Sequence, residues 1–67
     1  MQLIVNGTSH TLDQSELTVQ QLLKTLGYDE QSIAVAIDGA FVARNRYAQL
    51  NLTDQQQLEI VSPMQGG

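Results

Sequence analysis

The chain has 67 residues and a formal charge of −4, from seven acids against three bases (Lys24, Arg44, Arg46), with no cysteine and a single histidine, His10. A chain this short is one domain that buries only about 60% of its unfolded surface, which leaves little room for a deep catalytic cleft beside a core. Three cations make no basic face for nucleic acid or an anionic membrane, and without thiols there is no disulfide framework or thiolate metal site.

The opening MQLIVNG alternates, with Leu3 and Val5 on one face and Ile4 on the other, then reaches Asn6-Gly7. Both residues of an Asn-Gly pair tolerate positive φ, so this is a tight-turn signal, and SHTLD reads as the returning strand of a hairpin. In LTVQQLLKTLG, Val19, Leu22, Leu23 and Leu26 recur at i, i+3, i+4 and i+7, one face of a helix packed on a core. Thr18 and Gln21 have the spacing of a capping box, Leu17 and Leu22 that of a hydrophobic staple, and Gly27 suits a left-handed stop. Asp29-Glu30 reads as a solvated turn.

SIAVAIDG alternates large Ile33, Val35 and Ile37 with small Ala34 and Ala36. The small face implies close approach of another element. Asp38-Gly39 marks a second turn, and AFVA a short strand. NRYAQLNLTDQQ is polar and irregular, anchored by Tyr47 and Leu50. QQLEIVS is the last strand, with Leu58 and Ile60 on one face and Val61 on the other, and Pro63 ends its pairing. A hairpin, a helix and two or three further strands make an α+β domain over residues 1–67, with one helix on one face of a mixed sheet of four to five strands. The first and last strands fit side by side in the sheet centre, which would root a flexible tail, 63–67, in the rigid part of the molecule.

No catalytic set is legible. Ser9 and His10 are adjacent, so on a strand they point to opposite faces and make no nucleophile–base pair. The acids are scattered, and no glycine-rich loop joins a strand to a helix. Nothing approaches membrane-spanning length and no basic stretch precedes an apolar one, so the expectation is a cytoplasmic carrier or interaction module that touches neither nucleic acid nor membrane. Arg44 and Arg46 are either solvated or paired with a partner's carboxylates. Phe41, Val42 and Tyr47 either fill the core under the loop or form an apolar docking patch, with Met64 a further candidate anchor.

The tail carries the remaining chemistry. From Pro63 to Gly67 an extended chain reaches about 15 Å. Gly66 and Gly67 are thin enough to thread a narrow channel of another protein, where the α-carboxylate, ionised at neutral pH, would be the reactive group. A carboxylate that attacks the α-phosphate of ATP becomes an acyl adenylate, and no Cβ would obstruct a nucleophile there.

The run AVAIDGAFVARNRYAQLNLTDQQQLEIVSPMQGG, with the opening MQLIVNG and the helix LTVQQLLKTLG, resembles the ThiS family of thiamine-biosynthesis sulfur carriers over essentially all 67 residues. The resemblance implies a β-grasp (ubiquitin-like) fold. It implies that Gly67 is adenylated by an E1-like partner, ThiF, which supplies the ATP and magnesium chemistry, so that this non-enzymatic chain binds no cofactor stably. The adenylate would become a thiocarboxylate with sulfur drawn from cysteine through a desulfurase, and would donate that sulfur to thiazole synthase, ThiG. Molybdopterin-type sulfur carriers and ubiquitin-like modifiers share the fold and the terminal glycines and are the alternatives. Ala43 stands where relatives often have proline, Tyr47 replaces a frequent tryptophan, and TDQQQLEIV lacks the usual Gly-Asp turn. With no cysteine the chain cannot carry a persulfide, so a sulfur cargo would sit on the Gly67 carboxyl.

Overall fold

A computed structural model describes residues 1–62. In chain order it contains β1 (Gln2–Val5), β2 (Thr8–Thr11), α1 (Val19–Leu26), β3 (Ala34–Ile37), β4 (Ala40–Val42) and β5 (Gln57–Val61), with short 3-10 turns at Glu30–Ser32 and Arg44–Arg46. The five strands form one sheet in the order β2-β1-β5-β3-β4. Only the β1–β5 pair is parallel, which places the first and last strands side by side at the centre.

Local signals set the connections. Asn6 and Gly7 have φ of 51° and 83°, and Asp38 and Gly39 have 49° and 86°. Positive φ at both central residues is what a two-residue hairpin with the native strand twist demands. The β1–β2 and β3–β4 hairpins close on these pairs, with Val5 opposite Thr8 and Ile37 opposite Ala40.

The helix begins on the capping box: the Thr18 hydroxyl accepts from the Gln21 N–H at 3.2 Å, and the Gln21 amide oxygen accepts from the Thr18 N–H at 2.9 Å. It ends at Gly27, where φ is 84° and the N–H groups of Gly27 and Tyr28 reach back to the carbonyls of Lys24 and Leu23. That double bond pattern satisfies carbonyls a helix end otherwise leaves open. At the other end, the N–H groups of Val19 and Gln20 donate to the carbonyls of Leu50 and Tyr47, each at 3.0 Å. The first turn of a helix has no internal acceptors for these donors. The polar segment after β4 therefore supplies the backbone partners that α1 needs.

The core lies between α1 and one face of the sheet. Leu3, Val5, Val35, Ile37, Leu58 and Ile60 project from the strands onto Val19, Leu22 and Leu23, and Leu17, Ile33, Val42, Tyr47 and Leu52 close the rim. The single helix on a mixed sheet, with its parallel central pair, is the β-grasp arrangement.

The alternation in β3 works differently from the expectation. The large residues Val35 and Ile37 meet the helix, and Ala34 and Ala36 face away from it. The small face is thus the open face of the sheet, and no element among the described residues approaches it. Ala36 is flanked across the strands by Phe41 and Glu59, and Ala34 by Val61.

Candidate functional site

The chemistry assigned to the chain end lies outside the described residues, together with Pro63, Met64, Gly66 and Gly67. The described part of the site is the root of that segment, the end of β5, and the sheet surface beside it.

β5 is held from both sides. On one flank it pairs antiparallel with β3 from Leu58 to Val61. On the other, the parallel ladder with β1 reaches Val5 and Leu58, and the Asn6 N–H donates to the Leu58 carbonyl at 2.9 Å. The chain then turns at Asn6-Gly7 and no further β1 residue is available. The Asn6 side chain takes over: its amide oxygen accepts from the Ile60 N–H at 2.9 Å and its amide nitrogen donates to the Ile60 carbonyl at 3.1 Å. At the start of β5 the Asp38 carboxylate accepts from the Gln57 N–H at 3.1 Å, and the Asp38 N–H donates to the Gln57 carbonyl at 2.7 Å. Both turn residues thus fasten the central strand.

The open face is apolar in its middle. Phe41 keeps 74% of its surface exposed and Val61 56%, over Ala34, Ala36 and half-buried Ile4. Alanine neighbours are too small to cover a phenyl ring, so the exposure follows from the sequence of β3. Arg46 is exposed and shares a shallow depression with Phe41 and Leu50. Arg44 is used internally: its guanidinium donates to the carbonyls of Glu30 at 2.9 Å and Ile33 at 3.3 Å, tying the two 3-10 turns together. The Arg46 side chain makes no hydrogen bond among the described residues.

The four residues considered for docking therefore separate. Phe41 is on the surface. Val42 points to the helix side opposite Val35, and Tyr47 is 2% exposed under the loop. These two are core residues, because the alternation of β4 turns Val42 inward and the loop carrying Tyr47 folds over the start of α1. Met64 lies beyond the described residues. Val61 joins Phe41 on the open face, and the alternation of β5, which sets it opposite Leu58 and Ile60, is the signal for it in the sequence.

Ser9 and His10 point to opposite faces, as two consecutive strand residues must. Ser9 faces Ile4 and His10 faces Leu3. Among the described residues no three His, Asp or Glu side chains cluster as metal ligands, and no helix is long and apolar enough to cross a membrane.

Solved structures of a thiamine biosynthesis protein (ThiS) from Geobacter metallireducens resemble the chain throughout. The crystal structure superposes with a TM-score of 0.88 at 29% identity, covering 100% of both chains. The solution structure gives a TM-score of 0.81 at 29% identity, covering 100% of this chain and 88% of the other. A thiazole synthase of Paramagnetospirillum magneticum is 37% identical over 67 residues, which are 100% of this chain and 20% of that protein. The chain thus spans about a fifth of the length of this relative. A profile of the ThiS family matches residues 3–67, including both terminal glycines. With a family match over residues 3–67 and the fold shared with the solved ThiS structures, the chain belongs to the ThiS family of thiamine-biosynthesis sulfur carriers.

Proposed function

We propose that the chain carries sulfur on its Gly67 carboxyl for assembly of the thiamine thiazole. An E1-like partner, ThiF, binds ATP and magnesium and positions the carboxylate against the α-phosphorus. The carboxylate oxygen attacks, pyrophosphate leaves, and the carboxyl becomes an acyl adenylate. The desulfurase takes sulfur from cysteine as an enzyme persulfide; its terminal sulfur adds at the carbonyl carbon and expels AMP, and a thiol reductant then cleaves the S–S bond of the acyl disulfide, releasing the thiocarboxylate and leaving a disulfide. Thiazole synthase, ThiG, then takes the sulfur. The chain is a co-substrate in these steps and holds no cofactor of its own.

The observation that carries this reading is the family match running through Gly66 and Gly67. The similarity to a fifth of the length of a thiazole synthase favours that enzyme class as the recipient. Phe41, with Val61 and Arg46 at its margins, is the docking surface. An exposed aromatic over small neighbours offers an anchor that a partner's pocket can desolvate, and aromatic and arginine residues dominate such contacts.

The test is ATP–pyrophosphate exchange with the activating enzyme. Wild-type chain supports exchange. Removing Gly67, or adding one residue after it, abolishes exchange without altering the fold. Unchanged exchange in either variant contradicts the role of the terminal carboxylate. Thiazole formation with the synthase separates this pathway from molybdopterin synthesis, and conjugates of higher mass would identify a protein modifier instead.

A further inference from the structure

We infer that Asn6 is a positioning residue for the C-terminal segment: its side chain clamps Ile60 and thereby fixes the place and direction in which the chain leaves the sheet. The inference rests on the proposed chemistry at Gly67.

The clamp adds one rung to the central parallel ladder where the backbone no longer can. Main-chain pairing between β1 and β5 stops at Val5 and Leu58. Beyond it, Ile60 still presents an N–H and a carbonyl toward the vacated flank, and both are taken by the one amide of Asn6. A side chain that satisfies a backbone donor and acceptor together must itself hold one acceptor and one donor in a planar fork, which only the Asn and Gln amides provide. The turn alone does not call for this. A two-residue hairpin of this geometry accepts Asp or Gly in place of Asn. Asp38, at the equivalent turn of the other hairpin, has a similar positive φ and also satisfies both backbone groups of Gln57, but its side chain makes one of those bonds and its own backbone N–H makes the other. The difference between the two turns is that both bonds to Ile60 come from the Asn6 side chain, and they fall at the end of β5 nearest the terminal glycines.

Ile60 stands two positions before the last described residue. Without the Asn6 amide, the strand beyond Leu58 would be held by β3 alone. The body of the carrier would dock as before, but the reactive end would be correctly placed in fewer of the docked complexes. Loss of alignment of this kind lowers the rate of the bound step and leaves the affinity of docking in place.

The test compares three variants as substrates of the activating enzyme. Asn6→Gly removes the amide and accepts the positive φ without strain. Asn6→Asp keeps the acceptor and loses the donor. Thr18→Ala weakens the fold at the helix cap, far from β5, and controls for stability. At a temperature where all are folded, Asn6→Gly lowers kcat by on the order of tenfold or more with KM for the carrier unchanged. Asn6→Asp also lowers kcat, and Thr18→Ala changes neither constant. Exchange of the Ile60 amide proton, read by NMR, accelerates in Asn6→Gly while that of Leu22 stays protected. Wild-type kcat in Asn6→Gly, an equal loss in Thr18→Ala, or unchanged Ile60 exchange overturns the positioning role alone. Wild-type chain that is never adenylated overturns the proposed function and the positioning role together, whatever the exchange data show.

Discussion

The two faces of the sheet divide the work of the molecule. On the helix side, Leu3, Val35 and Leu58 are 0–1% exposed and belong to one buried cluster with Val19, Leu22 and Leu23 of α1. On the other side, Ala34, Ala36, Val61 and Phe41 stand on the same strands in register with those core residues, and Phe41 is left 74% exposed. Alternation along a strand makes this division unavoidable, since neighbours in sequence belong to opposite faces. If the open face is the docking surface proposed above, stability and recognition can be altered separately, by substitutions one residue apart.

The largest expected effect breaks the closed face. Leu58→Ala deletes a buried side chain at the centre of the sheet and should cost about 2–5 kcal/mol. A domain of this size has about 3–10 kcal/mol in total, so urea unfolding at 25 °C should show most of the stability gone. A loss below about 1 kcal/mol would mean that the core is not organised around β5.

Next comes the open face. Phe41→Ala removes no core contact and should change stability by no more than about 0.5 kcal/mol. Binding to the activating enzyme or the synthase should weaken by about tenfold or more, as truncation of an anchor residue does. Titration calorimetry against each partner tells which of them uses the ring. Full affinity for both would remove Phe41 from the docking surface.

A smaller effect is expected at the turn before β5. Gln55 has a φ of 73°, in a turn closed by the Gln56 N–H donating to the Thr53 carbonyl. A side chain in the left-handed region is strained by roughly 1–2 kcal/mol. Gln55→Gly relieves that strain but loosens the unfolded chain, so a net gain of about 0.5–1 kcal/mol is expected in thermal unfolding. Activity should be untouched, which would sharpen the separation of fold from function.

The smallest effect concerns acid. The Asp54 carboxylate is held below its ordinary pKa, first by the Gln2 N–H that donates to it at 2.6 Å and then by the Gln55 amide. A lowered folded pKa means that the carboxylate contributes its stability above the ordinary value near 3.8 and loses it as pH falls through the lowered one. The difference in stability between wild type and Asp54→Ala should accordingly be present at pH 7 and shrink as the pH falls below the ordinary value near 3.8. A difference that grows on acidification contradicts this assignment.

Much of the closed face could be read from the sequence because its signals are local. Thr18 with Gln21, the 3–4 spacing of Val19 to Leu26, and the Asn-Gly and Asp-Gly turns each act over a few residues, and the structure uses all of them. What escaped reading depends on distant partners. Nothing near Tyr47 in sequence says that its carbonyl serves Gln20, nor that Leu52 is buried with its N–H on the Leu17 carbonyl. Asn6 looked complete as a turn residue, and its second task involves a strand 54 positions away. The alanines of β3 were misread for a related reason: small residues fit both a close approach and an uncovered face, and only the sheet order decides between them. Of the site itself, the glycines were legible through the resemblance to the family, while the proposed docking surface needed the register that sets Phe41 opposite Ala36.

The most direct measurement of the central claim is the intact mass of the chain after incubation with the activating enzyme, ATP, magnesium and a cysteine-derived sulfur source. The account predicts a gain equal to exchanging one oxygen for one sulfur, lost when the thiazole synthase and its substrates are added and absent in the chain lacking Gly67. An unchanged mass under conditions where another ThiS protein is converted, or the same gain in the chain without Gly67, would contradict it.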